Sequence, residues 1–507
     1  MISFNILGDL NIGLMISKYL LYNSLSVFLC LLLSIANAQS ISKEPQSTPI
    51  EVSDSMIQAA KDQGCHLLVD VLQQIKNGET ENINTPDPGI NNGTVLHLAV
   101  KKGQIELVKL LLDKNPDINA KNKIGQIPLH LAAFYGRTEI TKLLLDKNAN
   151  INAKDQSNTT PLHLAVLIRN IETVKLLLAK NADINAKDDD GNTPLHLATL
   201  DEGTTMMELL LDNNADINAK NNEGHTPLHK VTIHENAAMI KLLLGKNADI
   251  NVKDENGDTP LHYTASLGLT QALELLLDKN PDINAQNKLG QTPLHLAYYS
   301  IGHTEIVKLL MNNNANINAK DETGATPLHY ASLSGHIDMF NLLLDKKVDI
   351  NLQDNDGNIP LHYAAFKGHM QILKLALHKN AAINTQNKYG VTPLHLAVQE
   401  ENAEVVKLLL DKKSDINLQD NDGNTPLHYA TLNGHTHIAK LLLDENADIN
   451  TQDNDGNTPL HYAAQKGYSE IIKLLFQQNG IHKEIRNKDK KKPVDLAQGK
   501  EIKKLFK

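Results

Sequence analysis

The sequence predicts an all-α solenoid of stacked helix–turn–helix units, and three observations carry that prediction. The tripeptide Pro-Leu-His or a close variant recurs with its histidine at His97, His130, His163, His196, His229, His262, His295, His329, His362, His395, His428 and His461. Ten of the eleven intervals are 33 residues and one, from His295 to His329, is 34. Each interval holds two short apolar runs at helical spacing, separated by turn residues.

The unit Asp188–Lys220 shows how each element arises. Asp188, Asp189 and Asp190 before Gly191 read as a tight turn, because Asp bonds to its own backbone and Gly accepts positive φ. Thr193 is placed to cap a helix through its hydroxyl, and Pro194 suits the first helical position, where an N–H would have no partner. Leu195, Leu197 and Ala198 begin a short first helix. Met206, Leu209, Leu210 and Leu211 give the apolar face of a second, and Asn214 to Asp216 end it. A lone hairpin of this kind cannot bury its leucine face, so the units must stack and share one seam. Twelve units at about 10 Å each would span about 120 Å.

Composition agrees. Hydrophobic residues make up 41% and aromatic residues 4%, with no Trp, so the core must be built from Leu, Ile and Ala. The formal net charge of −10 argues against nucleic acid, which needs a basic surface. Residues 482–507 are an exception, with ten Lys and Arg against four Asp and Glu, and they read as a solvated cap. Cys30 and Cys65 are the only cysteines, and removal of the apolar run that holds Cys30 would leave one thiol and no intrachain disulfide.

Seven units carry Gly six residues after the histidine: Gly103, Gly136, Gly268, Gly335, Gly368, Gly434 and Gly467. Four carry Arg169, Glu202, Glu235 or Glu401 there, each followed by Asn170, Gly203, Asn236 or Asn402. Asn and Gly accept left-handed backbone, so the helix-ending residue is expected to shift by one in those four units. In the 34-residue unit an insertion near Ile301 brings Gly302 to the same shifted place.

The organisation follows. Residues 1–38 read as a signal peptide, with Lys18, an apolar run from Tyr19 to Ala36 and the small-residue site Ala36-Asn37-Ala38. Met15 is the expected true start, and an uncleaved membrane anchor is the alternative. Residues 39–53 are a flexible linker, 54–88 an N-terminal capping repeat, 89–487 the twelve repeats and 488–507 a basic C-terminal cap.

The period and the TPLHLA, KLLL and ADINAK segments together resemble the ankyrin repeat family, over roughly residues 89–507. That resemblance implies an L-shaped stack of helix pairs with projecting β-hairpin turns. It also implies that the twelve histidines are structural, each hydrogen-bonded within its turn with the preceding Thr as a partner. Binding would fall on turn tips and first-helix ends along the concave face. The candidates there are Phe134, Tyr135, Leu167, Ile168, Leu200, Ile233, Leu267, Tyr299, Leu333 and Phe366, with Ile124, Leu289 and Tyr389 at turn tips. Aliphatic and aromatic anchors of this kind suit a protein partner.

Catalytic and metal chemistry are not read here. Histidines one unit apart are too far from each other for one ion. The Asp-Asn-Asp-Gly runs at 354–357, 420–423 and 453–456 lack an EF-hand's other ligands. No phosphate loop or nucleophile elbow occurs, so the expected role is a non-enzymatic interaction scaffold without cofactor. Together with the leader, it resembles exported ankyrin proteins of intracellular bacteria. A scaffold anchored in the envelope and the targeting arm of an enzyme are the alternatives.

Overall fold

The computed structural model describes residues 51–62, 66–298 and 304–507. The signal segment, Met15, Cys30, Gly64, Cys65, most of the linker, Tyr299 and the insertion near Ile301 with Gly302 lie outside the described residues. From Asp54 to Lys507 the chain is one contiguous unit.

Among the described residues there are twenty-eight α-helices and one short 3-10 turn, Pro88–Ile90. Twelve consecutive helix pairs, from Val95–Lys102 with Ile105–Leu112 to Pro459–Lys466 with Ser469–Phe476, correspond to the twelve histidine-bearing units. A helix pair precedes them (Asp54–Asp62 and His66–Lys76), and a short basic pair follows (Pro493–Leu496 and Lys500–Leu505). The projecting turns form no named strands among the described residues, and Asp87 and Gly93 make an isolated antiparallel bridge. Each turn instead closes on itself, as where Asn122 N–H donates to the Gln126 carbonyl and Gly125 N–H to the Asn122 carbonyl.

Eleven first helices begin with Pro at their first turn, where its missing N–H leaves no bond unmade. The core is the shared seam that the leucine pattern demands. Buried apolar side chains from Ala133 to Ile502 form one connected cluster. The unit around His329 contributes Leu328, Ala331, Met339, Phe340 and Leu343, each at most 1% exposed. Each fully buried aliphatic or aromatic side chain of this size contributes roughly 1.5–3 kcal/mol.

Polar ladders run beside the seam. Asn185 Oδ1 accepts from Asp216 N–H of the next unit at 2.8 Å, and the equivalent bond recurs at ten other junctions. Successive first helices make broader contact with each other than most successive second helices do.

The expected shift of the helix-ending residue does not occur. Arg169, Glu235 and Glu401 themselves take the left-handed conformation, with φ of 62°, 53° and 54°. Asn170, Asn236 and Asn402 remain at φ of −85°, −81° and −88° and cap the second helix. Their side chains accept from Thr173, Met239 and Val405 N–H. The asparagine is needed as a cap, so the strained conformation falls on the residue before it. In the fourth unit neither Glu202 nor Gly203 is left-handed, and the first helix stops early at Ala198. The seven glycines all have positive φ, between 64° and 80°.

Candidate interaction surface

The turns are held by the recurrent histidines. In every unit Nδ1 lies 3.0–3.2 Å from the N–H of the residue three positions earlier and accepts from it. That leaves the proton on Nε2, which donates to a main-chain carbonyl of the next unit at 3.0–3.3 Å. Each ring therefore ties one turn to its neighbour, a link that sequence reading did not supply.

The Thr hydroxyl has a smaller part than Thr193 suggested. Only Thr160 and Thr392 accept a helical N–H through the side chain. At all ten Thr positions, Thr193 included, the hydroxyl lies 2.8–3.1 Å from the ring's Nδ1. Ile127 and Ile359 stand in the Thr position and still give their N–H to the ring, so the backbone group is the constant element.

Burial sets the charge of these rings. All twelve are at most 3% exposed. Loss of hydration pushes every one below its ordinary pKa, to about 4 for His163, His196, His229, His262, His362 and His395. They are neutral at pH 7, as the single-proton geometry requires.

The turn aspartates complete the frame. Asp354 Oδ1 accepts from Asp356 N–H and Asn358 N–H at 2.9 and 2.8 Å, which occupies the carboxylate of the calcium-like run. Tyr263, Tyr330, Tyr363, Tyr429 and Tyr462 each donate to the aspartate nine residues earlier, at 2.5–2.8 Å. Among the described residues no group of three or more His, Cys, Asp or Glu is arranged to hold a metal ion.

One junction departs from the pattern. His225, 4% exposed, lies against the Asp254–Tyr263 pair of the following unit. Its Nε2 is 2.8 Å from the Tyr263 hydroxyl oxygen and 3.4 Å from Asp254 Oδ2, and its Nδ1 is 3.1 Å from Glu223 Oε2. The Tyr263 proton is directed at Asp254, so both ring nitrogens face acceptors and both must donate. Burial opposes the charge, but Asp254 and Glu223 outweigh it and raise the pKa of His225.

The candidate anchors fall into two groups. Tyr135 is 36% and Leu200 is 41% exposed, just after the ends of their first helices. Phe134, Leu167, Ile168, Ile233, Leu267, Leu333 and Phe366 are half-buried. Phe134 packs on the core and meets Tyr135 edge to face, with ring centroids 5.1 Å apart. The turn-tip residues Ile124, Leu289 and Tyr389 are 43%, 53% and 45% exposed. Leu432, 37% exposed, was not singled out, although it stands four residues after His428 as Leu200 does after His196.

A family model described as ankyrin repeats in three copies matches residues 56–155, 150–221, 200–287, 265–354, 346–420 and 412–487. No curated protein matches the chain. The matched segments run without a gap from 56 to 487 and meet the same helix pairs that the histidine period marks. The chain belongs to the ankyrin repeat family, whose repeats mediate protein–protein interaction.

Proposed function

We propose that this protein is a non-enzymatic interaction scaffold that holds a partner protein along its turn tips and first-helix ends. One observation carries the reading. All six large apolar side chains that are exposed among the described residues fall at two repeat-equivalent places. Ile124, Leu289 and Tyr389 stand six residues before a turn histidine. Tyr135, Leu200 and Leu432 stand four or five residues after one. Both places recur at equivalent positions of the unit, the turn tip and the end of the first helix, which supports one shared binding surface along the stack.

We also propose that the partner is met outside the producing cell, as a host protein, after export directed by residues 1–38. The basis is the order Lys18, apolar run and Ala36-Asn37-Ala38. The amino-terminal sequence of the mature protein tests the export step: a start near Gln39 supports it, and retention of the apolar run contradicts it.

Affinity capture with residues 54–507, followed by mass spectrometry, tests the scaffold reading. A partner retained by the native chain and lost by Tyr135→Ala/Leu200→Ala supports it. Equal recovery by both proteins contradicts the assigned face.

A further inference from the structure

The net charge of −10 conceals a step along the stack. Residues 89–187, the first three units, hold fourteen Lys and Arg against eight Asp and Glu, net +6. Residues 188–286, the next three, hold six against seventeen, net −11. The second helices do not produce this step. Ile105–Leu112, Thr138–Asp146 and Ile171–Ala179 together carry −1, and Thr205–Asp212, Ala237–Gly245 and Thr270–Leu277 together carry −2. What remains is +7 followed by −9, and most of it lies on turns and first helices.

The charges are presented to solvent. Lys101, Lys102, Lys123, Lys154 and Lys187 are exposed in the first block, and Asp189, Asp190, Glu202, Glu235 and Glu255 in the second. Exposed Leu200 and half-buried Leu167 and Ile168 belong to the two units that flank the boundary at 187 and 188, and exposed Tyr135 lies one unit further into the basic block. The fold does not require the sorting. Residues 287–419, four units of the same architecture, hold twelve basic against thirteen acidic residues. Gathering like charge costs a compact state self-repulsion, and a face sorted into two signs steers a partner of the opposite order.

We infer that units one to six bind a polypeptide segment that is acidic at one end, apolar in its middle and basic at the other. Its acidic end lies over residues 89–187 and its basic end over 188–286. This deepens the scaffold reading and rests on it, because it places the partner on the same face. A nucleic acid would match only the first block and would be repelled by the second. The block centres are three units apart, about 30 Å, which an extended chain spans in about nine residues.

The full chain is titrated with two labelled synthetic peptides of identical composition. One has acidic and basic segments of about six residues each on either side of about three apolar residues, which sets their centres about nine residues apart, and the other has its charges alternating. The segmented peptide is expected to bind at least about tenfold more tightly at low salt and to lose that advantage as salt is raised. A photo-crosslinker at its acidic end is expected to label residues 89–187. Lys101→Glu/Lys102→Glu/Lys123→Glu should remove most of the difference while the urea midpoint stays in place. Equal affinity for the two peptides, or crosslinks from the acidic end within 188–286, overturns the inference. So does tighter binding of a duplex oligonucleotide than of the segmented peptide, or salt-sensitive dimerisation of the chain that blocks the peptide. If the peptides are not distinguished but Tyr135→Ala/Leu200→Ala still loses a captured partner, the scaffold reading stands and this inference alone fails.

Discussion

The ring of His362 donates from Nε2 to the main-chain carbonyl oxygen of Val391, 3.2 Å away in the next unit, while its Nδ1 accepts from Ile359 N–H at 3.1 Å. One buried side chain thus closes its own turn and fastens the neighbouring one. His362→Ala leaves the buried Ile359 N–H without this acceptor and leaves the Val391 carbonyl with the Asn387 N–H as its donor. The expected loss is about 2–4 kcal/mol, read as a lower urea midpoint. A change below about 0.5 kcal/mol would show that the two bonds contribute little.

Twelve such rings make the fold sensitive to acid, and the sign follows from burial. Each ring has a folded pKa below the ordinary 6.5, so its contribution is present above that value and is lost as pH falls toward about 4. At pH 5 each of the six rings held at about 4 forfeits about 2 kcal/mol relative to neutral pH. Three groups oppose the trend, among them Asp188, which burial raises. His225 is raised by Asp254 and Glu223 against the effect of burial, and Asp258 is raised to about 6 by burial. Urea midpoints measured from pH 7.5 to 4.5 should fall steeply below pH 6.5, and a flat profile would contradict the neutral-ring geometry.

His225 should stand apart from the other histidines in the same titration. Its two nitrogens face Glu223 on one side and the Tyr263–Asp254 pair on the other. By NMR its midpoint is expected above 6.5, whereas the twelve turn rings titrate below it. Asp254→Asn removes a carboxylate and should bring the His225 midpoint down. A midpoint unmoved by that substitution would show that the ring does not carry its charge through this contact.

Glu235 is strained and Asn236 is the cap, contrary to what their side chains suggest. Glu235→Gly removes a Cβ from a left-handed residue at φ 53° and is expected to stabilise by about 1 kcal/mol. Asn236→Ala removes the acceptor for Met239 N–H and is expected to cost about 1 kcal/mol. Urea unfolding of both variants checks the pair. Opposite signs would restore the shifted helix end that sequence reasoning expected.

The repeat itself was legible because its signals are local and periodic. Histidine spacing, the Pro at helix starts and the paired leucine runs specify helix pairs one unit at a time, and stacking follows because no pair can bury its own face. The exposed turn tips at Ile124, Leu289 and Tyr389 were legible for the same reason. What was not legible depends on neighbours. The carbonyl that takes the proton of His362 belongs to Val391, 29 residues away, and no local pattern names it. The left-handed residue was misplaced because residue preference was weighed without the competing need for Asn170, Asn236 and Asn402 as caps. Half-burial of Leu167, Ile233 and Leu333 is likewise set by packing around each helix end. The charge step at residues 187 and 188 was in plain view but was averaged away when the chain's charge was summed.

The account turns on units that stack laterally through one shared apolar seam, and removing two of them tests it most directly. Deletion of residues 321–386 joins Lys320 to Asn387 and keeps the register of turn and helix. Solution scattering should show a folded particle shorter by about 20 Å, with helical content per residue unchanged. Loss of the helical signal, or a particle that rounds up instead of shortening, would contradict the shared seam.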